Sequence, residues 1–320
     1  MTARRRVVRT AAGTLSPVQA TSTIDAPTAA PLPGPPPRSW ARAVADIRDG
    51  LRERELWSHL GWQDIKQRYR RSVIGPLWIT ISMAVTALAL GILNAALFGT
   101  QIATVLPSIT VGLIVWSFVS GCIMDGADTF IVNEGLIKHL PAPLMVYVLR
   151  TVWRQILLFA HNLVVYVLVC GIFIWAIDKP YHVIPNGITQ PGLNWGIVLA
   201  IPAFALIVLN AGWVTVLFGI AATRFRDIPP VVQSFMTLIF YMTPIMWQAD
   251  LLYTNGRTSS MAHLLALNPF YHVVEIIKAP LVGLQQSWTH WVVVGGFTIV
   301  GWALALLALR NYRARVSYWV

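Results

Sequence analysis

Apolar and polar positions alternate along this chain in long blocks: extended uncharged runs, each closed by a short charged stretch. From Ser72 to Met124 there is no Asp, Glu, Lys or Arg. These blocks hold six apolar stretches of the ~20 helical residues needed to cross a bilayer, two of them within the run from Ser72 to Met124. They predict spans at roughly 75–98, 104–124, 152–177, 196–222, 229–249 and 287–309. Gly91, Gly112, Pro202, Gly219 and Pro244 fall inside them, as suits membrane helices. The stretch 263–283, HLLALNPFYHVVEIIKAPLVG, is apolar but carries Glu275 and Lys278. With six spans placed, it is expected to dip into the membrane and return, covered by protein or water. Asn268 followed by Pro269 predicts a helix start there, an N-cap and then a proline in the first turn.

Residues 40–64 follow a different rhythm. Val44, Ile47, Leu51, Leu56 and Leu60 interleave with Arg and Glu. The spacing predicts an amphipathic helix in the membrane interface, broken near Gly50 or Gly61 and anchored by Trp40, Trp57 and Trp62. Upstream, four early arginines and a Pro-, Thr- and Ala-rich run containing PLPGPPP (31–37) predict a disordered cytosolic tail over 1–38. No apolar run follows those arginines, so a secretory leader is not expected. The resulting organisation is a tail at 1–38, an interface helix with a basic segment at 39–71, and a transmembrane domain over 72–320.

Composition agrees. The 320 residues are 56% hydrophobic and only 12% charged, about half the charge of a soluble domain. The net charge of +11 sorts to one side of the predicted spans. With both termini inside, 21 Lys and Arg face the cytosol and 3 face out, as the positive-inside rule requires. That sorting removes nucleic acid as a partner and leaves anionic lipid. Cys122 and Cys170 sit in apolar runs and read as small buried hydrophobes.

The chain carries no phosphate-binding G-x-x-x-x-G-K-[ST] loop and no H-E-x-x-H pattern. His161 and Asn162, inside a span, read as polar contacts between helices. The spans lack carboxylates, which argues against a proton-driven pump. Charge gathers instead in two loops. MDGADTFIVNEGLIKHLPAPL (124–144) is amphipathic and predicts a short helix that docks on a soluble partner, and RFRDIPP (224–230) is a tight charged turn. Tyr241, Phe270 and Tyr271, near predicted outer ends, serve either as interfacial belt residues or as flat faces for sugar rings.

Three blocks carry a family resemblance: DIKQRYRRSVIGPLW (64–78), RFRDIPPVVQSFMTLIFYMTPIMW (224–247) and LNPFYHVVEIIKAPLVG (267–283). In this order and spacing they resemble the ABC-2-type permeases that export cell-surface polysaccharides such as O-antigen, capsule and teichoic acid. The resemblance covers roughly 40–320. It implies an all-α membrane protein of the ABC-2 exporter fold. Six transmembrane helices, an N-terminal amphipathic interface helix and a re-entrant segment before the last helix are expected. It further implies a homodimer in the bacterial inner membrane with both termini cytosolic. Two copies of a separate ABC ATPase would bind the ATP and Mg, leaving this chain without a cofactor or enzymatic activity of its own. The substrate would be a glycan on an undecaprenyl-type lipid pyrophosphate.

On that resemblance, Glu134 and Lys138 in the stretch 133–140, with Arg224, Arg226 and Asp227, are candidates for ATPase coupling. Lys66, Arg68, Arg70 and Arg71 are candidates for the pyrophosphate, since Arg makes bidentate phosphate contacts. The other reading of these four cations is a plain anchor on anionic lipid. Two further functions compete: an ABC-2 permease for drugs or lipids, and a membrane glycosyltransferase. The second needs paired carboxylates or a His at a membrane face, and the predicted outer loops offer only Asp178, Asp250 and Glu275, unpaired.

Overall fold

The computed structural model describes residues 38–70, 72–140, 142–184, 187–249, 252 and 259–320. The expected tail, apart from Arg38, lies outside them, as do Arg71, Asp250, Tyr253 and Arg257. The described chain is mostly helical. In order, the helices are α1 (Trp40–Arg52), α2 (Arg54–Arg68), α3 (Leu77–Phe98), α4 (Ile102–Val132), α5 (Glu134–His139), α6 (Leu144–Ile177), α7 (Ala200–Arg224), α8 (Ile228–Met242), α9 (Ser259–Ala266), α10 (Pro269–Val282) and α11 (Trp288–Trp319). A 3₁₀ turn at Trp195–Leu199 leads into α7. A two-residue antiparallel pair, β1 (Tyr181–His182) with β2 (Thr189–Gln190), is a small departure from the all-α expectation.

Among the described residues, five helices are long and apolar enough to cross a membrane: α3, α4, α6, the 3₁₀ turn with α7, and α11. The expected fifth span, over 229–249, is not among these five. Helix α8 stops at Met242, so its 15 residues reach only about 22 Å at 1.5 Å per residue. The cause is local, because Pro244 disfavours helical geometry at Thr243, which is extended (φ −94°, ψ 136°). The chain beyond is irregular yet buried at Thr243, Ile245 and Gln248. Asn94 of α3 donates to Met246 O, Ser108 of α4 to Gln248 Oε1 at 3.2 Å, and Asn268 to Thr243 Oγ1 at 3.1 Å. The first of these bonds partners a carbonyl of the non-helical backbone, as a buried irregular stretch requires, and the other two hold its side chains.

Helix α4 is the hub. It packs on α3, α6, α7, α8 and α10. Of its most apolar stretch, 89% is buried, against 17–28% in the other four long helices. The helix also runs on past the expected end near 124, so residues 124–132 of the presumed loop are helical and only Glu134–His139 forms a separate short helix. Between α7 and α11 the packing is reciprocal: Trp213 lies against Gly301 and Trp302 against Gly212, each position leaving no room for a Cβ. Small residues allow such close approach where no hydrophobic effect drives helices together.

Helices α1 and α2 form separate rods, but the break is at Glu53 and not at either glycine. Gly50 and Gly61 are points of close approach to α6, where Met145 and Trp153 press on them. The face that α1 turns to the protein is Ala43, Asp46 and Gly50. Its apolar stripe, Val44 and Leu51, faces outward and is about half exposed. The predicted cap at Asn268 is present, its Oδ1 accepting from Phe270 N at 3.0 Å.

Candidate functional site: bare cations beside a neutral polar network

Helix α2 ends at Arg68, and Lys66 and Arg68 occupy its last turn, where positive charge suits the helix dipole. The chain then turns sharply. Ser72 Oγ accepts from Gly75 N at 3.2 Å, Gly75 takes a left-handed φ of 62°, and Pro76 precedes α3. The side chains of Lys66, Arg68 and Arg70 are exposed and make no ion pair or hydrogen bond among the described residues.

Where α1 and α2 face the other helices, charges are matched instead. Asp64 of α2 takes Arg150 of α6 in a two-point grip, 2.9 Å to Nε and 2.6 Å to Nη2. Arg150 Nη1 reaches Asn133 Oδ1 at 2.7 Å. Arg154 spans Asp64 at 3.3 Å and Asp125 of α4 at 2.8 Å, and Gln155 Nε2 adds a bond to Asp125 at 2.6 Å. On α1, buried Asp46 accepts from the backbone N–H groups of Leu144 and Met145 at 3.1 and 3.0 Å and pairs with Arg313 of α11. Pro143 precedes α6 and makes no cap of its own, so a carboxylate from another helix supplies the N-terminal acceptor.

Sequence reasoning missed this network. Its readable signal was Arg150 and Arg154 four residues apart, hence on one face of a helix. Asp64 sits two residues before a basic cluster and gives no hint that it turns inward.

The coupling candidates, distant in sequence, come together. Glu134 pairs with Lys138 at 2.6 Å. That bond, with the charges of Lys138 and Arg226, holds the Glu134 carboxyl below its usual range. Arg226 donates to Trp319 O at 3.4 Å, and the Arg224 guanidinium stacks 5.5 Å from the Trp319 ring. Asp227 precedes α8, whose first turn contains Pro229 and Pro230. Helix α5, this turn and the end of α11 thus share one corner of the fold.

The aromatic candidates divide. Phe270 packs on Trp116 (5.8 Å between centroids), and Trp116 on Phe240, whose neighbour Tyr241 is 61% exposed. Tyr271 turns away, to the rings of His272 and His290. Those two imidazoles face each other through Nδ1 at 2.8 Å. Farther along α10, Glu275 and Lys278 form a buried ion pair at 3.0 Å. Phe270 also lines an apolar groove of about 770 Å³ between α4, α7 and α8. His161, read as an interhelical contact, bonds through Nδ1 to Leu157 O of its own helix, and the link to α3 runs from Thr80 to the His161 carbonyl.

Four long apolar helices round a buried fifth, α4, with an amphipathic helix at the side and a charged corner, define a multi-pass membrane protein. Residues 55–282 match the ABC-2 type transporter family, and the chain belongs to that family. It is similar to an O-antigen export system permease protein RfbA of Klebsiella pneumoniae, 24% identical over 78% of this chain and 90% of that protein. A second Klebsiella pneumoniae RfbA permease is 27% identical over 59% of this chain and 68% of its own length. The Myxococcus xanthus RfbA permease is 25% identical over 73% and 82%.

Proposed function

We propose that the chain is the permease subunit of an ATP-driven exporter of lipid-linked polysaccharide. In this reading it acts as a homodimer in the inner membrane, with both termini cytosolic and two copies of a separate ATPase subunit that bind ATP and Mg. Helix α8 with the buried stretch after it makes a sixth crossing, and α9–α10 is the re-entrant segment. Helix α5 and the Arg224–Asp227 turn face the ATPase.

The observation that carries the proposal is the set of unpaired cations at the foot of α3. A lipid pyrophosphate presents two adjoining anionic groups at the interface, and Lys66, Arg68 and Arg70 stand there unneutralised. Arg71, the fourth cation, is next in the chain. The resemblance of the relatives, whose names specify O-antigen export, supports the polysaccharide. The apolar groove beside α8 favours a second reading, an exporter of lipids, in which the acyl chain and not the glycan is recognised.

One reconstitution separates the two. The chain and its ATPase are placed in proteoliposomes, and ATP-dependent movement of undecaprenyl-pyrophosphate-linked glycan is compared with that of a fluorescent phospholipid. Movement of the glycan-bearing lipid alone, lost with Lys66→Gln/Arg68→Gln/Arg70→Gln, is expected. Phospholipid movement without glycan movement refutes the proposal.

A further inference from the structure

Arg150 joins elements that the proposed mechanism must move together. Its Nε and Nη2 hold both carboxylate oxygens of Asp64 on α2, and its Nη1 holds Asn133. Asn133 is the corner residue between α4 and α5 (φ −97°, ψ 14°), and its own amide is fixed to Thr129 O at 2.7 Å. Asp64 lies one helical turn before Arg68. A guanidinium is a rigid planar fork, so two groups bound to it cannot shift independently. A displacement of the α4–α5 corner therefore carries α2 with it or breaks charge-assisted bonds.

We propose that Arg150 is a positioning residue that transmits movement of α5 to the basic segment Lys66–Arg70. This rests on the reading of α5 as the ATPase-facing helix. Two features distinguish a transmitting link from a plain brace. Arg154, with Asp64 on one side and Asp125 on the other, already fastens α2 to α4 through α6. The Asn133 contact adds nothing to that fastening, yet it alone ties the fork to the base of α5.

The test uses the full chain assembled with its ATPase subunit in nanodiscs. Cys122 and Cys170 are buried, so bimane can be attached selectively at Gly135→Cys on α5 or Gln67→Cys on α2. Gly135 has open space around its Cα, and Gln67 is exposed. ATP is expected to change the emission at both positions. Asn133→Ala is expected to keep the response at 135 and remove more than half of that at 67. Arg150→Lys, a point charge that retains the Asp64 attraction without the fork, is expected to do the same.

A response at 67 that is absent in the parent complex, or unchanged by Asn133→Ala, overturns the proposal. Loss of both responses from a complex that still assembles overturns it too, because Asn133 would then act on docking. No response at 135 in the parent complex defeats the ATPase-facing reading, and the link falls with it. Coupled responses in a complex that moves no glycan strike the proposed substrate alone and leave the link standing.

Discussion

Helix α2 carries two kinds of charge within two turns, and the contrast between them organises this end of the molecule. Facing α6, Asp64 is matched by Arg150 and Arg154, whose side chains are only 17% and 25% exposed. Facing outward, Lys66, Arg68 and Arg70 have no partner among the described residues. Burial explains the difference. A guanidinium withdrawn from water needs its carboxylate, because an unpaired buried charge costs several kcal/mol. A charge at the surface needs nothing, and it stays available to an anion. The paired set builds the scaffold, and the bare set is what the scaffold presents.

The sharpest break of this comparison is Asp46→Ala. It leaves Arg313 without its partner and two buried amides of α6 unsatisfied, and is expected to cost about 1–3 kcal/mol for each amide, read as a lowered thermal unfolding midpoint of the purified protein. Adding Arg313→Leu to it should change the midpoint little further, since that guanidinium is 35% exposed and the two uncapped amides carry the loss. Next comes Gly61→Leu. A Cβ there would lie 2.9 Å from the Trp153 ring and 3.2 Å from the Arg150 carbonyl. Wedging α2 away from α6 should cost about 1–3 kcal/mol by the same measurement.

The bare set should behave oppositely. Lys66→Gln/Arg68→Gln/Arg70→Gln is expected to leave the unfolding midpoint within ~0.5 kcal/mol of the parent. Binding of a pyrophosphate-headed lipid should weaken and lose its salt dependence. Equal binding by this variant and the parent would reduce the cluster to an anchor. The smallest effect is at Glu134. Its carboxyl is held down by Lys138, so the pair supports α5 above the ordinary carboxylate value of 4.5 and loses that support as pH falls through the lowered one. Bimane at Gly135→Cys should report loosening of α5 in that acid range, and Glu134→Gln should abolish the pH dependence.

How much was legible in the sequence follows from which forces act locally. Span α3 was readable almost to the residue, because Gly75–Pro76 opens it and Gly99 closes it with a left-handed turn. The Asn268 cap was readable for the same reason. The end of α8 was not, since hydropathy continues through Ile245 and Trp247 while the helix does not. Only Thr243–Pro244 marks the stop, and partners on α3 and α4 make it tolerable. The two glycines of the amphipathic region misled because glycine signals both a break and a close approach. What separates these is a bulky residue, Met145 or Trp153, some 90 positions away. The basic segment was visible as composition, but its contrast with a saturated neighbour was not. Asp46, Asp64 and Asp125 meet their arginines only through tertiary packing.

The two faces of α1 also bear on the order in which this protein is assembled. Asp46 meets Leu144 and Met145 of α6 and then Arg313, which is 267 residues further along the chain. The helix is synthesised before all of these partners, and Arg313 follows long after it. In the proposed arrangement the outward stripe of Val44 and Leu51 would rest on the lipid surface throughout that interval. The membrane would then be a temporary partner that holds α1 until α11 arrives to close the structure behind it.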